Sequence, residues 1–196
     1  MASDGKLDAA RRVAAALGYV ALIRRDTVSV HTFQPRHAAP RFAGRGSVPA
    51  LFDHLAALDA GGPTPFAAAA SHLLARPGPA GLTMVISDLL TPDWKGAISR
   101  LPARGAEVVV VHVLAPGELR PDLAGDVELV DRETGQRVAV SLAPETLRRY
   151  EKSVEDWLAG VKARCRQVGA SYVRFLTTHD LEATLLDSWQ RDGLLR

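Results

Sequence analysis

The chain has 196 residues, 47% hydrophobic and 23% charged, which is enough apolar material for one domain with a full core. A mean hydropathy near zero excludes both a membrane-like and a disordered composition. A net charge of +2 gives no argument for nucleic acid, and the single Cys165 cannot form an internal disulfide, which fits a reducing cytoplasm.

Leu7, Ala10, Val13, Ala14, Leu17, Val20 and Ala21 recur at helical spacing, with Asp4 and Gly5 where the helix begins. Its apolar part, Val13 to Ile23, lies between Arg11-Arg12 and Arg24-Arg25 and has the look of a signal peptide. Asp4 and Asp8 precede it, no small-residue cleavage site follows, and it falls short of the roughly 20 residues that span a bilayer. It reads as a helix buried in a protein core.

Thr27 to Phe33 alternates like a strand. Gln34 to Ser47 is mostly loop, with room for a short edge strand in a hairpin. Val48 to Leu58 is an amphipathic helix with Leu51, Phe52, Leu55 and Leu58 on one face. After Gly61-Gly62 a helix runs from Phe66 to Leu74, and Arg76-Pro77-Gly78-Pro79 breaks it. Leu82 to Ser87 is a continuous apolar strand of the kind covered on both faces. Trp94 to Leu101 is a helix, and Glu107 to Leu114, with four consecutive valines, is the most strand-like run in the chain.

Two short strands, Val127 to Val130 and Arg137 to Val140, flank Asp131-Arg132-Glu133-Thr134-Gly135 and read as a hairpin inserted at about 116–142. Pro144 opens a helix that runs to about Val168 and ends at Gly169. Tyr172 to Leu176 is the final strand, and Leu181, Leu185, Leu186 and Trp189 mark the last helix. Alternating helices and doubly apolar strands argue for a single α/β domain with a mostly parallel sheet and helices on both faces.

Most enzyme signatures are absent. There is no Gly-x-Gly-x-x-Gly, no phosphate-binding loop and no Gly-x-Ser-x-Gly elbow. His112 reads as a core residue of the valine strand, His31 as a strand-face residue, and Cys165 as structural, on the apolar stripe of its helix. Arg36, Arg41 and Arg45 make the loop after the first strand basic, either as a solvated loop or as a docking surface for an acidic partner. Thr64 stands in a glycine turn before a helix, and Asp88 at the carboxyl end of a buried strand, where ligands of open α/β sheets sit. Both are hard oxygen donors suited to Mg2+ or Mn2+. The structural alternative is that each caps a local turn or helix.

Thr64 and Ser87-Asp88, in this order of elements, resemble a von Willebrand factor A-like domain. Such domains hold a divalent cation at a metal-ion-dependent adhesion site, with Asp-x-Ser-x-Ser after the first strand, a threonine in a later glycine turn and an aspartate after the fourth strand. The closer resemblance is to the bacterial family called domain of unknown function 58. It rests on Lys6-Leu7-Asp8-Ala9-Ala10-Arg11, the strand ending in Phe33, Gly61 to Thr64, Ile86-Ser87-Asp88-Leu89, the Asp131 to Gly135 hairpin and Arg149-Tyr150.

That resemblance implies a non-enzymatic interaction domain, an adaptor for MoxR-type AAA+ ATPases that engages a partner's acidic side chain through a metal held by Thr64 and Asp88. A metal-dependent hydrolase and a metal-free scaffold are the alternatives. In the family, Asp-x-Ser-x-Ser-Met precedes the Lys-Leu segment, and Met1 matches that methionine. The expectation is therefore an N-terminally truncated domain lacking its first, central strand. It would bind Mg2+ or Mn2+ weakly or not at all, and it would self-associate or be marginally stable.

Overall fold

The computed structural model describes residues 5–33, 39–59, 65–75, 81–103, 105–122, 125–130 and 135–184. Helix α1 (Lys6–Ile23) begins after Gly5, whose φ of 71° suits glycine. Lys6, Ala9, Ala10, Val13 and Leu17 form one buried stripe at helical spacing, while Gly18 and Leu22 are buried on another side of the helix. Arg25 turns the chain, and β1 (Thr27–Ser29) pairs antiparallel with β2 (Arg41–Ala43), Val28 opposite Phe42.

The strand expected as far as Phe33 thus ends at Ser29. Val30 adds one hydrogen bond to the Pro40 carbonyl, but Pro40 has no N–H to return one, and the ladder stops. His31 lies beyond the strand and is exposed, not on a strand face. A single 3-10 turn (Arg45–Ser47) leads into α2 (Val48–Ala56), whose Leu51 and Leu55 pack with Leu22 and Phe42. The approach of α1 to α2 is so close that a Cβ on Gly18 would stand 2.6 Å from a methyl of Leu51.

Next come α3 (Phe66–Ala75), β3 (Leu82–Ser87), α4 (Trp94–Arg100) and β4 (Glu107–Leu114). They are followed by a one-turn helix α5 (Pro116–Leu119), the hairpin β5 (Gly125–Val130) with β6 (Arg137–Leu142), the long α6 (Pro144–Gln167), β7 (Ser171–Leu176) and one turn of α7 (Leu181–Ala183). The turn of the hairpin at 131–134 and the Leu185, Leu186 and Trp189 portion of the last helix lie outside the described residues.

The centre is a parallel sheet in the order β3-β4-β7. Every residue of β4 after Glu107 is buried. On one face Val108 and Val110 meet Phe66, Ala70, Ile98, Val161 and Cys165 of α3, α4 and α6. On the other, Val109, Val111 and Val113 meet Ala9, Ala10, Val13 and Leu17 of α1. This is an α/β architecture with helices on both faces of a parallel sheet.

The expected single sheet is divided. Strands β1 and β2 form a separate pair that does not hydrogen-bond to β3, and α1 lies against both sheets. The strands on either side of the expected central position therefore do not close on each other. Among the described helices none is long and apolar enough to cross a membrane.

Candidate functional site

Asp88 is the first residue past the carboxyl end of β3. The turn that holds it is closed by the Leu89 N–H donating to Ser87 Oγ at 3.1 Å, with Leu89 itself at a φ of 53°. A leucine in the left-handed region costs about 1–3 kcal/mol and persists only where its surroundings enforce it. Here the enforcement is burial. The Leu89 side chain is 1% exposed, packed into the cluster of Phe66, Val85 and Ile98. Leu90, the next residue, is 64% exposed.

The carboxylate of Asp88 meets a cation from its own chain. Lys6 Nζ donates to Asp88 Oδ2 at 2.9 Å and to Glu118 Oε1 at 2.5 Å. Lys6 is the first residue of α1 and is 3% exposed, while the Asp88 and Glu118 side chains are 13% and 24% exposed. Burial opposes the charge on both Lys6 and Asp88. The hydrogen bonds and charges of Glu118 and Asp88 outweigh it at Lys6, so the ammonium titrates above its ordinary value. Chiefly the Lys6 hydrogen bond and charge outweigh it at Asp88, so the carboxyl titrates below its own. Glu118 is fixed in turn, because its Oε2 accepts from the Ala115 N–H at 2.8 Å and its carbonyl accepts from the Tyr150 hydroxyl at 2.8 Å. The triad joins the start of α1, the turn after β3, and α5.

Beneath it lies His112, fully buried in β4. Its Nε2 bonds the Asp88 carbonyl at 3.0 Å and its Nδ1 the Tyr172 hydroxyl at 2.9 Å. A carbonyl only accepts, so Nε2 carries the proton and Nδ1 accepts from Tyr172. Burial pushes His112 down to about 4 and keeps it neutral. Trp157 covers the ring edge-on at 4.9 Å.

Asp93 closes the far end of the loop. Its carboxylate accepts from the Ala67 N–H at 2.7 Å, in the first turn of α3, and from the Thr91 hydroxyl at 2.5 Å. The amino end of α3 is thus capped from 26 positions away.

Of the residues singled out in the sequence, Asp88 stands at this centre. Thr64 and Arg36 lie outside the described residues, as does the rest of the turn at 60–64. Arg41 is exposed on β2 and Arg45 exposed in the 3-10 turn. Phe33, just before the loop they belong to, meets the Phe66 ring at 4.8 Å, whereas Phe42, beside Arg41, packs on Leu22 at the end of α1 away from Lys6. His112 is the expected core histidine. Cys165 is 0% exposed with its thiol pushed up to about 11 by burial, a structural residue.

Lys6 and Glu118 were not anticipated as site residues. A signal existed for each. Lys6 falls in helical register with Ala9, Ala10 and Val13, so a charge was bound for the buried stripe. Pro116 followed two residues later by Glu118 is the pattern of a helix start whose third residue reaches back to the backbone.

Comparison with known proteins adds three findings. The family described as protein of unknown function DUF58 matches residues 2–157. An uncharacterized protein of Mycobacterium avium, MAV169, is 31% identical over 108 residues, which are 54% of this chain and 63% of that relative, so the chain spans less than two thirds of its length. No solved structure matches. The family match runs from α1 through the Asp88 turn, α5 and the hairpin into α6, and the chain therefore belongs to the DUF58 family.

Proposed function

We propose that this chain is a non-enzymatic protein-interaction domain that engages its partner at the carboxyl end of the parallel sheet, around Asp88. The observation that carries the reading is the Asp88 turn itself. Backbone strain at Leu89 is maintained by core packing, and it holds a charged side chain beside the 64% exposed Leu90. Strain kept at a sheet's ligand-binding end is typical of sites that recognise something. His112, directly below, has both ring nitrogens committed to hydrogen bonds, so it offers no general base to this end.

The finer reading is an adaptor for a MoxR-type AAA+ ATPase whose contact falls where a metal-ion-dependent adhesion site would lie, with Thr64 and Asp88 as the residues that would hold Mg2+ or Mn2+ and this chain binding it weakly or not at all. It rests on resemblance to von Willebrand factor A-like domains, and Asp88 is its one ligand among the described residues. Exposed Arg41 and Arg45 add a separate basic surface, at the Leu22 end of α1 and away from Lys6, for acidic groups on the same partner.

The test is direct binding of a purified MoxR-type ATPase to the immobilised chain. Saturable binding that weakens in Asp88→Asn supports the proposal. Binding indifferent to that change moves the interface elsewhere, and Asp88-dependent hydrolysis of a phosphate ester or an oligonucleotide with Mn2+ present makes the chain an enzyme.

A further inference from the structure

We propose that the Lys6 ammonium is the resident counter-ion of the Asp88 site, standing where a divalent cation would otherwise sit and keeping one out. The proposal deepens the interaction reading above and rests on it for the importance of this end of the sheet.

The geometry carries it. Mg2+ demands about six oxygens at about 2.1 Å in near-octahedral order. In this chain Asp88 Oδ2 and Glu118 Oε1 already converge on one positive centre, Lys6 Nζ, at 2.9 and 2.5 Å. A dication bridging the same two oxygens would fall against that ammonium, and like charges at such a distance in a part-buried site repel strongly. The residues as arranged do not fit Mg2+ or Mn2+ on this side of Asp88.

Nor is Lys6 a surface lysine that happens to lean on an acid. At 3% exposure it is among the least exposed residues of α1, and a buried lysine persists only when paired. It makes one contact to the turn after β3 and one to α5, so one ammonium ties three elements together as a structural metal ion would.

The experiment is a Mn2+ titration followed by the electron paramagnetic resonance of free Mn2+, on the wild-type chain, Lys6→Met, and Lys6→Met combined with Asp88→Asn. The wild type is expected to show no saturable binding into the millimolar range. Lys6→Met is expected to bind at least roughly tenfold more tightly, and the double variant to lose that gain.

Saturable binding by the wild type that Asp88→Asn removes overturns the proposal. So does a folded Lys6→Met that binds no better than wild type. If circular dichroism finds Lys6→Met unfolded, Lys6→Gln, which keeps a polar end without the charge, takes its place. Mn2+-dependent recovery of a melting transition in either variant supports the proposal. A chain that stays unfolded with both substitutions, Mn2+ present, overturns it, because a metal then cannot do what the ammonium does. None of these readings involves a partner, so failure of the interaction reading and failure of this one are told apart.

Discussion

His112 Nε2 donates to the backbone carbonyl of Asp88 at 3.0 Å, so the buried histidine of β4 fixes the main chain at the point where β3 hands over to the site. The same ring accepts from Tyr172, bracing β3, β4 and β7 through one imidazole. His112→Leu leaves a carbonyl and a phenol without their partner at about 1–3 kcal/mol each. Urea unfolding is therefore expected to report a loss of about 2–5 kcal/mol. A loss within the scatter of a surface substitution means the two bonds do not hold the strands.

The same residue sets a pH dependence. The unfolded chain takes up this proton near 6.5 and the folded chain only near 4. Stability from His112 is thus fully present above pH 6.5 and falls as pH drops toward 4, by something on the order of 3 kcal/mol. Asp88, held below its ordinary value, adds to the loss only once pH falls below about 4. Midpoints of urea unfolding between pH 7 and pH 4 are expected to decline in the wild type and to decline less in His112→Gln. Parallel slopes would assign the acid sensitivity to other groups.

How much of this was legible in the sequence differs by element, for physical reasons. Apolar runs announced β3 and β4; central β4 is covered on both faces and buried throughout after Glu107, whereas β3, expected to be covered likewise, is an edge strand with only Val85 and Ser87 buried and Leu82 exposed. Helix α6 was readable from its one apolar stripe and from Pro144 and Gly169 at its ends. The strand at Thr27 was read too long, since alternation records which face is buried and not whether a ladder partner exists beyond Pro40. At the site, Asp88 was found from its place at a strand end. The cation on it was missed because the pairing joins residues 82 and 112 positions apart, a distance no local pattern encodes.

At Gly18 two opposed effects can be ranked. Alanine gains about 1 kcal/mol over glycine inside a helix, but its Cβ would meet a methyl of the fully buried Leu51 at 2.6 Å. Overpacking of this kind costs typically 1–3 kcal/mol. Gly18→Ala is expected to lower stability by about 1 kcal/mol, and the loss to shrink or reverse when combined with Leu51→Ala. Additive effects in that double-mutant cycle would mean the helices simply move apart.

Reversing Arg41 and Arg45 to glutamate should weaken capture of the MoxR-type ATPase by severalfold while leaving the melting temperature nearly unchanged. Both side chains are exposed, and surface charges away from special features alter stability by about 0.5 kcal/mol or less. Salt should mimic the effect on binding. Undiminished capture would take the partner surface off this loop.

Cys165 should be silent toward a thiol reagent at pH 8 in the native chain and react on unfolding. It is 0% exposed, its thiol is pushed up to about 11, and the thiolate is the reactive form. Rapid native labelling would contradict the packing of α6 against β4.

The Leu89 turn makes the surface at Asp88 hostage to the interior. Its left-handed backbone is kept by a side chain wedged among Phe66, Val85 and Ile98, so the aim of Asp88 is set by the volume of residues that never see solvent. Drift in the hydrophobic core therefore becomes drift in recognition. A methylene gained or lost at Ile98 or Val85 relaxes or tightens the turn and re-aims the carboxylate. Substitutions at those positions and at Asp88 will be epistatic without touching one another.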